Sequence, residues 1–209
     1  MQTKPHYWQK ACKELSKKDK VMATLVKKYN DCYLTSNGDP LRTLVRAIVG
    51  QRISVAACDA VWNRLLGLFP RKKISAKVIK DLKEAEMRKA GLSKQKILYI
   101  NNIADFFIEN KITKSYFKNT DSEKIAQDLL AIKGIGKWTL EMFQIFYLNE
   151  PDIFSIGDLG LIKAIKNLYP RKKFKDKEAI ENFAKNWSPY RTVATWYLWR
   201  SIDADPVQY

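Results

Sequence analysis

Several things are scarce in this sequence of 209 residues, and each absence closes a door. Alternating runs of strand type are almost missing; the best exception is Asp31 to Ser36, a candidate edge piece. There is one histidine, His6, near the N-terminus. Histidine-based catalysis and multi-histidine metal sites are therefore not expected. Cys12, Cys32 and Cys58 are far apart, and no Cys-x-x-Cys occurs, so a zinc finger, an iron–sulfur cluster or a disulfide framework lacks its ligands. No apolar run approaches the length of a membrane span, and no signal-peptide core stands at the N-terminus. Free cysteines fit a reducing compartment: cytoplasmic and nucleoid-associated in a bacterium, nuclear in a eukaryote. Acidic residues are also in short supply. Lys and Arg number 38 against 22 Asp and Glu, which leaves a net charge of +16 and a pI near 9.7. Such a field favours a polyanionic partner, with nucleic acid ahead of an anionic membrane.

What is present reads as helix almost throughout. Asp39 and Pro40 form a start signal, after which Leu41, Leu44, Val45, Ile48 and Val49 recur at helical spacing. Ser54 and Ser93 are further cap candidates. One helix is expected from Ser75 to the glycine stop at Gly91, and another from Asp121 to Gly134. The capping signals suggest roughly eight to eleven short helices. The expected fold is all-α with two helical lobes: a central lobe over 53–150, and a second lobe joining 1–52 to 151–209. A cleft between lobes is the natural place for a site.

The most informative stretch is LLAIKGIGKWTLEMFQIFYLNEPDIFSIGDLGLIKAI, residues 129–165. Gly134 and Gly136 flank Ile135 between two helices. Glycines permit positive φ and close backbone approach, and a helix start leaves N–H groups without partners. Together with Lys133 and Lys137 this is a device for holding phosphate without regard to sequence, with Ile135 pinning the turn to the core. An ordinary tight corner between helices explains a lone Gly-x-Gly equally well. Asp158 reads first as the N-cap of the helix that follows it, and a catalytic role is compatible with capping. Asp152 is the nearest competing carboxylate.

Taken whole, the stretch resembles the helix-hairpin-helix DNA glycosylases, the superfamily with a Gly-Pro-Asp-like loop after the hairpin. The branch it resembles is the alkylpurine, 3-methyladenine DNA glycosylase II type. LVRAIVGQRISVAACDAVWNRL, MRKAGLSKQKILYINNIA and WSPYRTVATWYLWR carry the likeness over about residues 39–201. The resemblance implies a monofunctional enzyme that flips a damaged purine out of duplex DNA and hydrolyses its glycosidic bond, acting as a monomer without cofactor or metal. Asp158 takes the place of the catalytic aspartate. Trp138 takes the place of the residue that stacks on the base, with Tyr190 and Met142 as further pocket walls. A cationic alkylpurine gains about 0.5–2 kcal/mol from an indole face. Gln51 and Arg52 fall in the segment that enters the DNA, and Arg52 stands where relatives carry glutamine or leucine as a wedge. A solvent or phosphate contact is the simpler role for Arg52. Bifunctional relatives place a lysine nucleophile where this chain has Trp138. Trp187, Trp196, Tyr197 and Trp199 read mostly as core. An oxidised-guanine or mismatch glycosylase, and a non-catalytic damage-recognition protein, are the alternatives.

Overall fold

Polar side chains set ahead of apolar runs start most of the helices. The computed structural model describes residues 4–203. In chain order its α-helices are α1 Trp8–Lys18, α2 Lys20–Lys28, α3 Pro40–Gly50, α4 Val55–Leu66, α5 Ala76–Asp81, α6 Glu84–Lys89, α7 Lys94–Glu109, α8 Lys114–Asn119, α9 Ser122–Leu130, α10 Lys137–Phe143, α11 Leu159–Leu168, α12 Lys177–Ala184 and α13 Arg191–Arg200. A π-helical turn, Gln144–Leu148, follows α10 directly. Asp39 accepts from the Arg42 N–H with Pro40 in the first turn, and Ser54, Ser93 and Asp121 cap α4, α7 and α9 in the same way. Each such cap satisfies an orphan donor and stabilises its helix by about 1 kcal/mol.

Three expectations change. Residues 32–37 carry no regular structure, and no strand exists among the described residues. A lone segment with no partner strand has no ladder for its backbone groups. The single helix expected from Ser75 to Gly91 is two, because Leu82 and Lys83 turn extended, with ψ of 133° and 136°. The Glu86 carboxylate accepts the Lys83 N–H and restarts the helix. The helix count rises to thirteen among the described residues, since α5 and α6 divide one expected helix and α8 and α12 are short, of 6 and 8 residues.

The chain divides into two compact units. The central unit spans Gly38–Phe143, and the terminal unit joins 1–37 to 144–208. The boundaries thus stand at 37/38 and 143/144 rather than at 52/53 and 150/151. The physical reason lies in packing. Helix α3 lies against α4, α7 and α10, all of them central. Arg46, buried on α3, donates to Cys58 Sγ at 2.9 Å and pairs with Asp59, both on α4, while its guanidinium lies over the Trp62 ring. At the other boundary, Phe146 in the π-helical turn stacks on Trp199 of α13, at 5.9 Å and 11° between planes. The Thr192 hydroxyl donates to the Glu150 carbonyl at 2.6 Å, which ties the following loop to the same helix.

Helix α7 is the axis of the central unit. Ile97, Ile100, Ile103, Ala104 and Phe107 are buried along it, and the rings of Phe107, Phe117 and Phe143 continue that core. The terminal unit closes around aromatic rings. Trp8 meets Trp196 edge-on at 5.3 Å, and Tyr197 lies beside it. Asp19 caps α2 with one oxygen and accepts from Tyr169 Oη and Trp187 Nε1 with the other, at 2.7 and 3.0 Å. That carboxylate ties three parts of the unit together.

Candidate functional site

In the central unit the candidate residues gather around the turn between α9 and α10. Ile132 and Ile135 are buried and Lys133 and Lys137 are exposed, so the turn is anchored by apolar side chains and surfaced by cations. The Ile135 N–H donates to the Ile132 carbonyl at 3.0 Å, which closes the turn on itself. The two glycines differ in kind. Gly134 has φ of +114°, and a Cβ there would stand 2.3 Å from Cγ of Tyr99. Both facts exclude a side chain for internal reasons. Gly136 has an ordinary φ, and a Cβ on it would meet nothing within 4 Å. Nothing among the described residues requires that second glycine.

Gln51, the C-cap residue of α3, spends its amide within the protein. Its Nε2 donates to the Gly134 carbonyl at 3.1 Å and to Thr139 Oγ1 at 2.9 Å. The residue expected to touch DNA thus fastens the hairpin to α3. Arg52, next along the chain, is exposed and holds φ of 57°, a left-handed conformation that arginine rarely adopts. The turn therefore projects a long cation from between α3 and α4 at some backbone strain, a combination that clusters at functional sites. Trp138, in the first turn of α10, is partly exposed. Met142 is 1% exposed; the core, not a surface, takes its side chain. Lys137 is exposed, with Glu141 one turn on at 3.9 Å, a loose pair of small energetic weight.

In the terminal unit, Asp158 ends the loop before α11. Its Oδ1 accepts the Leu161 N–H at 2.7 Å, the N-cap expected from sequence. The same oxygen accepts Trp199 Nε1–H at 3.1 Å. Because the Trp199 ring is itself stacked on Phe146, the indole donor is a rigid one. Helix cap and indole together fix the carboxylate in one orientation. A Cβ at Gly160 would come within 3.2 Å of the same oxygen, so that glycine keeps the space beside the carboxylate clear. Trp199 is buried, as its place in the aromatic stripe predicts, but no local pattern in the sequence announces a bond between residues 41 apart.

Asp152, the competing carboxylate, is committed elsewhere. Arg191 grips it with Nε and Nη2 at 2.8 and 2.9 Å, and the Arg191 N–H and the Ser188 hydroxyl add to it. Burial alone would raise its pKa; the hydrogen bonds and charge of Arg191, helped by Ser188, outweigh this and hold the carboxyl below the usual range. This is a structural ion pair at the root of α13. Tyr190, the residue before α13, is buried, with its ring 6.4 Å from that of Tyr7 and nearly parallel to it.

Comparison with known proteins gives one consistent picture. Residues 45–189 match the family described as HhH-GPD superfamily base excision DNA repair protein. The chain is 31% identical over 188 residues to DNA-3-methyladenine glycosylase 1 of Schizosaccharomyces pombe, a match covering 87% of this chain and 81% of that protein. It is 31% identical over 202 residues to the alkylbase DNA glycosidase-like protein mag2 of the same organism, covering 92% and 93% of the two chains. The solved structure of the Schizosaccharomyces pombe 3-methyladenine DNA glycosylase Mag1 in complex with abasic DNA superposes with a TM-score of 0.82 at 30% identity, over 95% of this chain and all of that one.

Proposed function

Since the chain belongs to the HhH-GPD superfamily of base excision DNA repair proteins, we propose that it is a monofunctional DNA glycosylase that excises alkylated purines such as 3-methyladenine and 7-methylguanine from duplex DNA in base excision repair. The observation that carries this reading is Asp158. It is a carboxylate at a helix start, held in one orientation by the Leu161 N–H and the Trp199 indole.

Hydrolysis of the glycosidic bond breaks the bond from the anomeric carbon to the purine nitrogen, and the bonding pair leaves with the base. The sugar becomes an oxocarbenium-like cation. An N-alkylated purine already carries positive charge, so it departs neutral and calls for little help from an acid. The barrier lies in the sugar's charge, and a fixed carboxylate lowers it by electrostatics that require no reorganisation. Water then adds to the anomeric carbon and loses a proton. In this reading Asp158 stabilises the cation and orients the water, as paired carboxylates do in glycoside hydrolysis.

The base must leave the duplex before any of this can occur. We assign Arg52 to the space it vacates, Trp138 to stacking on the extruded purine and Tyr190 to a wall of the base pocket. Gly134, Gly136, Lys133 and Lys137 hold the backbone phosphates. Trp138 stands where a bifunctional enzyme needs a lysine, so the proposed product is an abasic site on an uncut strand. The protein acts as a monomer.

The test is purified protein with methylated duplex DNA. Free methylated base should appear. Asp158→Asn should slow release by about two to three orders of magnitude while DNA binding and thermal stability persist, because asparagine caps a helix as well as aspartate. Binding without release by the wild-type protein would leave a non-catalytic recognition protein. Release from single-lesion duplexes carrying oxidised guanine or mismatches, and not from alkylated ones, would replace the substrate class.

A further inference from the structure

The hairpin turn is held by side chains from outside it, and the way they hold it fixes where its donors point. The Lys133 carbonyl accepts from Asn102 Nδ2 at 2.9 Å. A trans peptide is planar, with its C=O and N–H on opposite sides. Turning the Lys133 carbonyl toward α7 therefore turns the Gly134 N–H away from it. Among the described residues no backbone or side-chain acceptor takes that N–H. The next peptide is fixed as well, its carbonyl on Gln51 and its Ile135 N–H on the Ile132 carbonyl. Gln51 therefore secures the second plane, and Asn102 alone secures the first.

Tyr99 lies three residues before Asn102, on the same face of α7. Its ring occupies the place a Cβ on Gly134 would take. Gln95, one turn earlier, donates to Tyr99 Oη at 2.5 Å and holds that ring against the glycine. The ring keeps the turn in the conformation that needs φ of +114°, and the amide sets the peptide plane within it. Neither side chain needs to touch a ligand to do this.

We propose that Asn102 and Tyr99 of α7 are positioning residues for DNA binding, setting the Lys133–Gly134 peptide so that its N–H meets a backbone phosphate. The inference rests on the proposed reading that the hairpin grips DNA, and it assigns to α7 the geometry of that grip. An N–H aimed at an anion forms a charge-assisted bond, and its misdirection weakens binding without altering the chemistry at the sugar.

Asn102→Leu tests it, since leucine matches asparagine in shape and charge but has no donor. Affinity for an undamaged duplex at fixed salt should fall about tenfold, the size of one such bond. Single-turnover base release at saturating protein should stay at the wild-type rate, and the melting temperature should stay within a few degrees. Asn102→His, whose Nδ1–H sits where the asparagine amide does, should restore most of the affinity. Asn102→Asp, equal in size but without a donor, should fall with leucine. Wild-type affinity in either donorless variant overturns the proposal, as does failure of histidine to restore binding. A wild-type protein that binds DNA but frees no base removes the enzymatic reading and leaves this one intact. A wild-type protein that does not bind duplex DNA removes both.

Discussion

The hairpin at 131–136 and the loop at 149–158 are both short turns leading into a helix, yet only the loop adds fixed carboxylates to its acceptors. In the hairpin the backbone supplies acceptors, which the amides of Gln51 and Asn102 take, and the exposed charges at the turn, Lys133 and Lys137, are both cations. In the loop carboxylate side chains supply acceptors alongside the carbonyls of Glu150 and Asp152. Asp152 is taken by Arg191 and Ser188, and Asp158 by the Leu161 N–H and Trp199. One turn has its carbonyls drawn inward, which suits an anionic backbone. The other fixes a carboxylate, which suits a sugar that turns cationic. In the proposed reaction the two have complementary parts because they present opposite polarity.

That contrast can be broken at three points. The largest effect is expected in the hairpin. Gly134→Ala should lose about 2–3 kcal/mol of unfolding free energy, from the left-handed backbone and the Tyr99 ring together. Gly136→Ala should stay within about 0.5 kcal/mol of wild type in urea unfolding, as an open surface position does, and should bind DNA more weakly. Wild-type DNA affinity in Gly136→Ala would show that the second glycine serves no outside partner.

Next comes the loop's ion pair. Asp152→Asn should lower stability by about 1–2 kcal/mol, discounted for the partial exposure of both side chains, with base release from the surviving fold unaffected. Its pH dependence has a definite sign. A carboxyl depressed in the fold contributes fully above the unfolded value near pH 4, and that contribution disappears as pH falls through the lower folded value. Acid unfolding followed by circular dichroism should therefore lose part of its slope in the variant. An unchanged acid limb would mean the pair does not govern it.

The smallest effect concerns the indole donor. Trp199→Phe keeps a ring against Phe146 and removes the hydrogen bond to Asp158. Base release should slow about fivefold, the worth of one ordinary hydrogen bond, with duplex affinity unchanged. If the rate holds, the helix cap alone orients the carboxylate.

Much of this was readable from sequence where the signal is local. Asp39 with Pro40, Ser54, Ser93, Asp121 and Asp158 all cap the helices they precede, because a cap is a contact within three residues. Gly134 needs the positive φ that its place after α9 suggested. What could not be read was long-range. The break at Leu82 and Lys83 lies in a run of good helix formers, so nothing nearby announces it. Gln51 looked like a DNA contact because its partners, Gly134 and Thr139, lie more than 80 residues on. Met142 shares a helix with Trp138, but only packing decides that its side chain goes into the core. Trp199 sits in an aromatic stripe, and its one directed bond is invisible in that pattern.

The terminal unit has a consequence for how the chain comes off the ribosome. Trp8 finds Trp196 only after α13 has been made, whereas 38–143 is one unbroken stretch. The first two helices must wait, apolar faces uncovered, while the middle of the molecule can already condense. Nascent chains stalled before α13 should therefore be protease-resistant over 38–143 and labile over α1 and α2.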